Sequence, residues 1–277
     1  MEREKYIINR LMEHFLELEA RGYEVVCLML QGSQNYNLDE YSDEYKSDID
    51  SKAIVLPHFR DFVEEKAPVS TVEILDNNEH VDCKDIRIMF EMFKKENISY
   101  IELLYTKYKI INPKYLDLIK PIFDKRQEIA EININQFLRC IVGMSGNKVK
   151  ALCHPYPNLL DKIEKYGFDG KQLSHCVRLF EFISRYTSGV PIEQCYITED
   201  RDLLMNYKKQ LIEDGSRVMT VEEAIAACDF YHEMTKMIET LHLLPQDQIN
   251  QETIDFLEKI KYNILKKKFE EDIAYEN

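Results

Sequence analysis

The feature that most restricts the fold is a pair of short apolar runs joined by a polar loop. Residues 23–30 read Tyr-Glu-Val-Val-Cys-Leu-Met-Leu, and residues 48–57 read Asp-Ile-Asp-Ser-Lys-Ala-Ile-Val-Leu-Pro. Runs this short and this apolar suit buried strands. The first passes through Gln31 into Gly32 and Ser33. A glycine and a serine after a buried strand offer close backbone approach, a hydroxyl and an amide donor, which together can hold a phosphate. The second run opens on Asp48 and Asp50 and stops at Pro57. Alternate side chains of a strand share a face, so Asp48 and Asp50 project together and Ile49 turns into the core. Two carboxylates facing one way repel each other and invite a divalent cation.

Around these runs the periodicity is mixed. Residues 2–21 predict an amphipathic helix through Ile7, Ile8, Leu11, Phe15 and Leu18, which Gly22 ends. A short helix is expected over 59–66. Strands are expected over 71–75 and 80–83, on either side of the turn-like Asp76-Asn77-Asn78. A strong helix follows over 85–96, with Asp85 as its N-cap and Asn97 closing it. A short helix at 99–104 and an extended piece at 109–112 complete the front. From Pro113 onward strand-like runs disappear. Helices are expected over 114–120, 129–150, 158–165, 171–188, 201–213, 220–243 and 251–271. The expected fold is therefore α+β: a sheet with flanking helices over residues 1–125, followed by an all-helical domain over 126–277.

Composition excludes several classes. The formal net charge of −14 over 277 residues gives no general attraction for a nucleic-acid backbone. The seven cysteines are odd in number and contain no CxxC pair, which suits reduced thiols rather than a disulfide frame or zinc site. No apolar run approaches a membrane span, and the N-terminus lacks a signal-peptide pattern, so no membrane partner is expected and the cytoplasm is the expected location.

A metal site built on Asp48 and Asp50 usually takes a third carboxylate. Asp82, in a strand-like segment, is preferred over Asp85, which has the look of a helix cap. In the helical half, Asp169 can cap a helix with Gln172 at N3, a capping-box arrangement. Lys171, His175 and Arg178 then share one face. On spacing alone that stripe is a solvated face. Lys52, Lys148 and Lys150 read as surface lysines, and His80, His154, His232 and His242 as structural. Tyr36, Tyr41 and Tyr45 either stack a base or cover a loop.

Three blocks carry a resemblance. Gly32-Ser-Gln-Asn-Tyr-Asn-Leu38 with Ser47-Asp-Ile-Asp-Ser-Lys-Ala-Ile-Val-Leu-Pro57 is the first. Val81-Asp-Cys-Lys-Asp-Ile-Arg87, running on to Asn97-Ile-Ser-Tyr-Ile-Glu-Leu-Leu104, is the second. The third is Tyr166-Gly-Phe-Asp-Gly-Lys-Gln-Leu-Ser-His-Cys-Val-Arg178. Together they resemble the DNA polymerase β-type nucleotidyltransferase superfamily, and within it the predicted nucleotidyltransferases of bacteria and phages, some of them linked to RNA repair. The resemblance spans roughly residues 25–180. It implies a Mg²⁺- or Mn²⁺-dependent enzyme that moves a nucleotide from a nucleoside triphosphate to an acceptor and releases pyrophosphate. The acceptor is left open between an RNA end, a protein hydroxyl and a small molecule. Asp48, Asp50 and Asp82 would form the catalytic set and hold metal, with Asp82 also the general base for the acceptor. Gly32 and Ser33 would hold phosphates, with Lys171, His175 and Arg178 facing them across an interdomain cleft. A nucleotide- or RNA-binding regulatory module without turnover is the alternative. Two departures stand out. Asn37 replaces a frequent glycine, a substitution asparagine tolerates because it accepts positive φ. The loop 39–46 is unusually acidic, with no physical account from sequence alone. Oligomeric state and base preference are not written in the chain.

Overall fold

The apolar stripe of the first helix forms as expected. In the computed structural model α1 (Glu2–Ala20) buries Ile7, Leu11, Phe15 and Leu18 against a sheet. The structure describes residues 2–75, 77–211 and 215–276. After α1 come β1 (Glu24–Gln31), β2 (Asp50–Leu56), α2 (Phe59–Val63), β3 (Ser70–Ile74), β4 (His80–Asp85), α3 (Ile86–Lys94), α4 (Ile98–Tyr105) and β5 (Lys109–Ile111). Then follow α5 (Leu116–Asp124), α6 (Arg126–Ala130), α7 (Ile134–Ala151), α8 (Leu160–Tyr166), α9 (Gly170–Thr187), α10 (Ile192–Cys195), α11 (Arg201–Lys209), α12 (Val221–His242) and α13 (Gln251–Glu276). The chain is thus α+β, with a helical C-terminal region. Asp76 of the expected turn and the last residues of the helix expected at 201–213 lie outside the described residues.

The five strands form one mixed sheet in the order β3-β4-β2-β1-β5. β2 is antiparallel to β1 and parallel to β4. Both central strands are buried almost throughout, as their unbroken apolar runs require. Leu28, Leu30, Ile49, Ala53, Val55, Val81 and Cys83 pack with the α1 stripe on one face. α3 and α4 pack on strands of the same sheet, with Met89, Phe90 and Phe93 buried.

Two compact units divide the chain. One holds Met1–Asn35, Asp39–Asn133 and Gln248–Asn277; the other holds Tyr36–Leu38 and Ile134–Asp247. The sequence expectation assigned all of 126–277 to one helical domain, but α13 packs on α2, α3 and α5 in the sheet-bearing unit. Lys94 Nζ to Glu258 Oε1 at 2.6 Å and Phe59 N–H to Asp272 Oδ2 at 2.8 Å fasten it there. These partners lie 164 and 213 residues apart, so no local pattern announces them. Another correction concerns Asn97. It does not close α3 but caps α4, accepting from Ser99 N–H. Asp85 caps α3 as expected, accepting from Arg87 N–H.

Within the second unit, α9 packs on α7, α11 and α12. Gly170, its first residue, makes the α11 contact possible. A Cβ there would come 1.9 Å from the Tyr207 carbonyl oxygen and 2.6 Å from Gln210 Cγ. A backbone carbonyl cannot swing aside, so Gly170→Ala is expected to destabilise by about 3 kcal/mol, the upper end for overpacking. Gly143 of α7 has nothing within 4 Å of such a Cβ. Gly143→Ala should instead stabilise by about 1 kcal/mol through helix propensity. Urea midpoints of the two variants, moving in opposite directions, check the pair.

Candidate functional site

The end of β1 and the start of β2 bring the first block together. Gln31 lies opposite Asp50 in the antiparallel pair, so Gly32 and Ser33 leave β1 beside the strand on which Asp50 begins. Gly32 has φ +95°, a conformation glycine takes freely. Ser33 starts a short 3-10 turn through Tyr36. Gln34 Nε2 donates to the Asp48 carbonyl at 2.7 Å, which ties the turn to the aspartate pair. Asn37 has φ +61°, as its place in the motif leads one to expect.

Asp48 and Ile49 lie just before β2 rather than within it, a correction to the expected strand start. The alternation holds regardless. Asp48 is exposed, Ile49 is 1 % exposed and Asp50 is half-buried. Asp50 Oδ1 is shut away from solvent with no hydrogen-bond partner, His80 Nδ1 being 3.4 Å away without hydrogen-bond geometry. An orphaned buried carboxylate oxygen next to a second, exposed carboxylate is a donor set that suits Mg²⁺ or Mn²⁺.

Asp82 has a different environment. The parallel register puts it opposite Lys52, whose Nζ is 2.5 Å from Asp82 Oδ2. Lys84 Nζ is 2.9 Å from Oδ1. Both carboxylate oxygens therefore face ammonium groups. Asp85, the other candidate, is fully buried and spent on the α3 cap and Arg87. Among the described residues no group of three or more His, Cys, Asp or Glu is arranged to hold a metal. Lys52, read from sequence as a surface lysine, is 5 % exposed, with its Nζ 4.1 Å from the centre of the Tyr100 ring.

Behind the aspartate pair lies a buried network that sequence reading missed. Glu79, 3 % exposed, accepts from Ile49 N–H at 3.1 Å through Oε1. Its Oε2 accepts from Arg10 Nη2 at 2.7 Å and His14 Nε2 at 2.8 Å. His14 Nδ1 in turn lies 2.9 Å from Ser51 Oγ. The residues on both sides of Asp50 are thereby held from α1 and the β3–β4 turn, Ile49 by its backbone N–H and Ser51 by its hydroxyl. Burial by itself would raise the Glu79 pKa, but the bonds from His14, Arg10, Asn77 and Ile49 outweigh it and bring it down to about 2. The available signal was His14 on the apolar face of α1, but its partner lies 65 residues away.

The acidic loop has a physical account. Tyr41 pairs with Lys46 in an isolated antiparallel bridge, and Ser47 N–H donates to the Glu40 carbonyl. Asp39 accepts from Arg3 Nε at 2.8 Å and Nη2 at 2.6 Å. Tyr41 packs on Tyr6, and Lys46 Nζ lies 4.8 Å from the centre of the Tyr6 ring. The loop is a small hairpin fastened to α1, with part of its negative charge neutralised. Of its tyrosines, Tyr41 is a packed cover and Tyr45 is exposed.

In the second unit, Asp169 caps α9 through Lys171 N–H. Gln172 bonds the Asp169 carboxylate at 2.9 Å instead of its backbone, so the box is incomplete. Lys171 is exposed and His175 half-buried, while Arg178 is 4 % exposed. The Arg178 guanidinium lies 3.6 Å from the centre of the Tyr36 ring. Its Nε has no hydrogen-bond partner, and no carboxylate pairs with it among the described residues. A buried, unpaired guanidinium on an aromatic face is poised for an anion. Burial, then Arg178, Lys148, Lys171 and Lys208, holds the His175 pKa well below the ordinary 6.5. Lys148, read as a surface lysine, thus joins a cationic cluster. The sign follows from linkage: below pH 6.5 the unfolded chain binds a proton that folded His175 refuses, so acidification costs stability. Thermal midpoints should fall as pH drops below 6.5, and His175→Gln should fall less.

No family model matches the chain, and no curated protein matches it significantly. Among the described residues no helix is long and apolar enough to cross a membrane.

Proposed function

We propose that this chain is a divalent-metal-dependent nucleotidyltransferase of the DNA polymerase β type, transferring a nucleotide from a nucleoside triphosphate to an acceptor oxygen. The observation that carries this reading is the β1–β2 register, which sets the Gly32-Ser33 turn beside Asp50 with Asp48 two residues upstream. A phosphate-holding turn next to a cation-inviting carboxylate pair is what triphosphate chemistry requires. Mg²⁺ bound at the pair supplies charge neutralisation and activation of the attacking oxygen. Gly32 and Ser33 hold the β- and γ-phosphates through backbone N–H groups and the serine hydroxyl. Asp48 and Asp50 would hold the metal. The acceptor hydroxyl gives its proton to water, its oxygen bonds the α-phosphorus, and the P–O bond to the α–β bridging oxygen breaks to release pyrophosphate. In the second unit, Arg178 is the residue assigned to a phosphate, with neutral His175 a hydrogen-bond donor and Lys171 a peripheral cation.

The test is pyrophosphate release from labelled triphosphates, with RNA ends, protein hydroxyls and small molecules offered as acceptors. Turnover that survives Asp48→Ala combined with Asp50→Ala sinks the assignment. A regulatory module that binds nucleotide without turnover is favoured by one observation, the pairing of Asp82 with two lysines, which leaves it unfree to act as a base. Metal-dependent triphosphate binding with no pyrophosphate released from any acceptor would select that reading.

A further inference from the structure

Lys52 occupies a position that sequence reading gave to no function. On β2 it shares a face with Asp50, two residues away, because alternate strand side chains do. On β4, Asp82 lies directly opposite Lys52 in register, and Lys84 follows on the same face. The Lys52 ammonium, almost wholly buried, has Asp82 Oδ2 at 2.5 Å and the face of Tyr100 at 4.1 Å. Lys84 covers Asp82 Oδ1 at 2.9 Å. Each carboxylate has a buried oxygen outside any hydrogen bond, but Asp50 has only the His80 imidazole beside it, at 3.4 Å. The two carboxylates expected to share metal are therefore unequal: one faces an imidazole, the other two ammonium groups. A divalent ion bound to Asp82 would have to displace a buried ammonium and then lie beside it, where like charges in a low-dielectric setting repel strongly.

We infer that this site takes a single divalent cation, on Asp48 and Asp50, and that the Lys52 ammonium tied to Asp82 stands in for a second one. The inference rests on the proposed reading insofar as Asp48 and Asp50 are the metal pair. It gives Lys52 a positioning and charge-neutralising part, and it removes Asp82 from the metal set. A fixed ammonium differs from an ion in not dissociating, so its single positive charge would persist without metal.

Mn²⁺ titration of the full chain, with free ion followed by electron paramagnetic resonance, tests this with the metal alone. Wild type is expected to bind one ion per chain. Asp82→Asn should leave both the number and the affinity unchanged, whereas Asp50→Asn should abolish binding. Lys52→Met keeps an unbranched apolar side chain and leaves Asp82 paired with Lys84. It should gain a second ion, lost again in Lys52→Met combined with Asp82→Asn. Two ions in wild type, one of them lost in Asp82→Asn, would overturn the inference. So would a folded Lys52→Met chain that still binds one. If Lys52→Met does not fold, the Asp82→Asn result in the native background decides. Mn²⁺ binding unaffected by Asp50→Asn would instead remove the metal reading of the pair itself, so the two failures are distinguishable.

Discussion

Asp50→Ala is expected, on the proposed reading, to lower metal-dependent pyrophosphate release by about 10³-fold or more. A metal-held transition state is worth several kcal/mol, and each 1.36 kcal/mol is about tenfold in rate. Asp50 should matter more than Asp48. Its orientation is set by pairing with Gln31 and by a half-buried position in the sheet, whereas Asp48 is exposed and precedes the strand. Stability should move the other way. Removing one of two adjacent carboxylates relieves repulsion, and Asp50 Oδ1 gives up no hydrogen bond. The urea midpoint without metal is therefore expected to hold or rise, while the increase in thermal midpoint that the proposed reading expects of Mg²⁺ on the wild type should be absent from the variant. Lost turnover accompanied by lost stability would mean that Asp50 is structural.

Glu79→Ala is expected to be the most destabilising single change in the sheet-bearing unit, at about 3–5 kcal/mol, the usual cost of removing one member of a buried charged set. It would leave His14, fully buried, and Ile49 N–H without their acceptor, and Arg10 with only Glu13. The urea midpoint should fall with little change in slope. Glu79→Gln keeps one acceptor oxygen and should cost less. The pH dependence has a defined sign. The folded carboxyl titrates at about 2 instead of 4.5, so the stability it contributes is complete above pH 4.5 and is lost as pH falls toward 2. Glu79→Gln should flatten the curve in that window. Because Glu79 holds the backbone between Asp48 and Asp50, on the proposed reading the variant should also bind Mn²⁺ more weakly.

Much of the architecture follows from local pattern. The β-branched run before Gly32 buries as a strand, and Ile49, although it precedes β2, is buried between an exposed and a half-buried aspartate. Asp85 and Asp169 cap helices because a short carboxylate reaches the free N–H groups of the first turn. Lys52 was misread for a physical reason: its burial depends on which residue β4 sets against it, and the register of a parallel pair formed through an intervening helix and edge strand is not a local quantity. The same holds for α13. Its apolar positions announce a helix, but its place beside α2, α3 and α5 is decided by contacts more than a hundred residues away.

By itself the sequence determined most element types, the Gly32-Ser33 turn, the burial of Ile49 between Asp48 and Asp50, and the helix that carries Lys171, His175 and Arg178. All of these depend on side-chain period and backbone preference within a few residues. Tertiary structure alone decided the pairing in the neighbourhood: that Asp82 faces Lys52 and Lys84, that Asp50 has a buried oxygen outside any hydrogen bond, that Glu79 and His14 clamp the strand from behind, and that Arg178 is buried on Tyr36 with no carboxylate paired to it among the described residues. Whether a charged side chain is solvated, paired or left open depends on what the folded chain brings within a few ångströms of it, and that proximity is set by register and packing between distant segments.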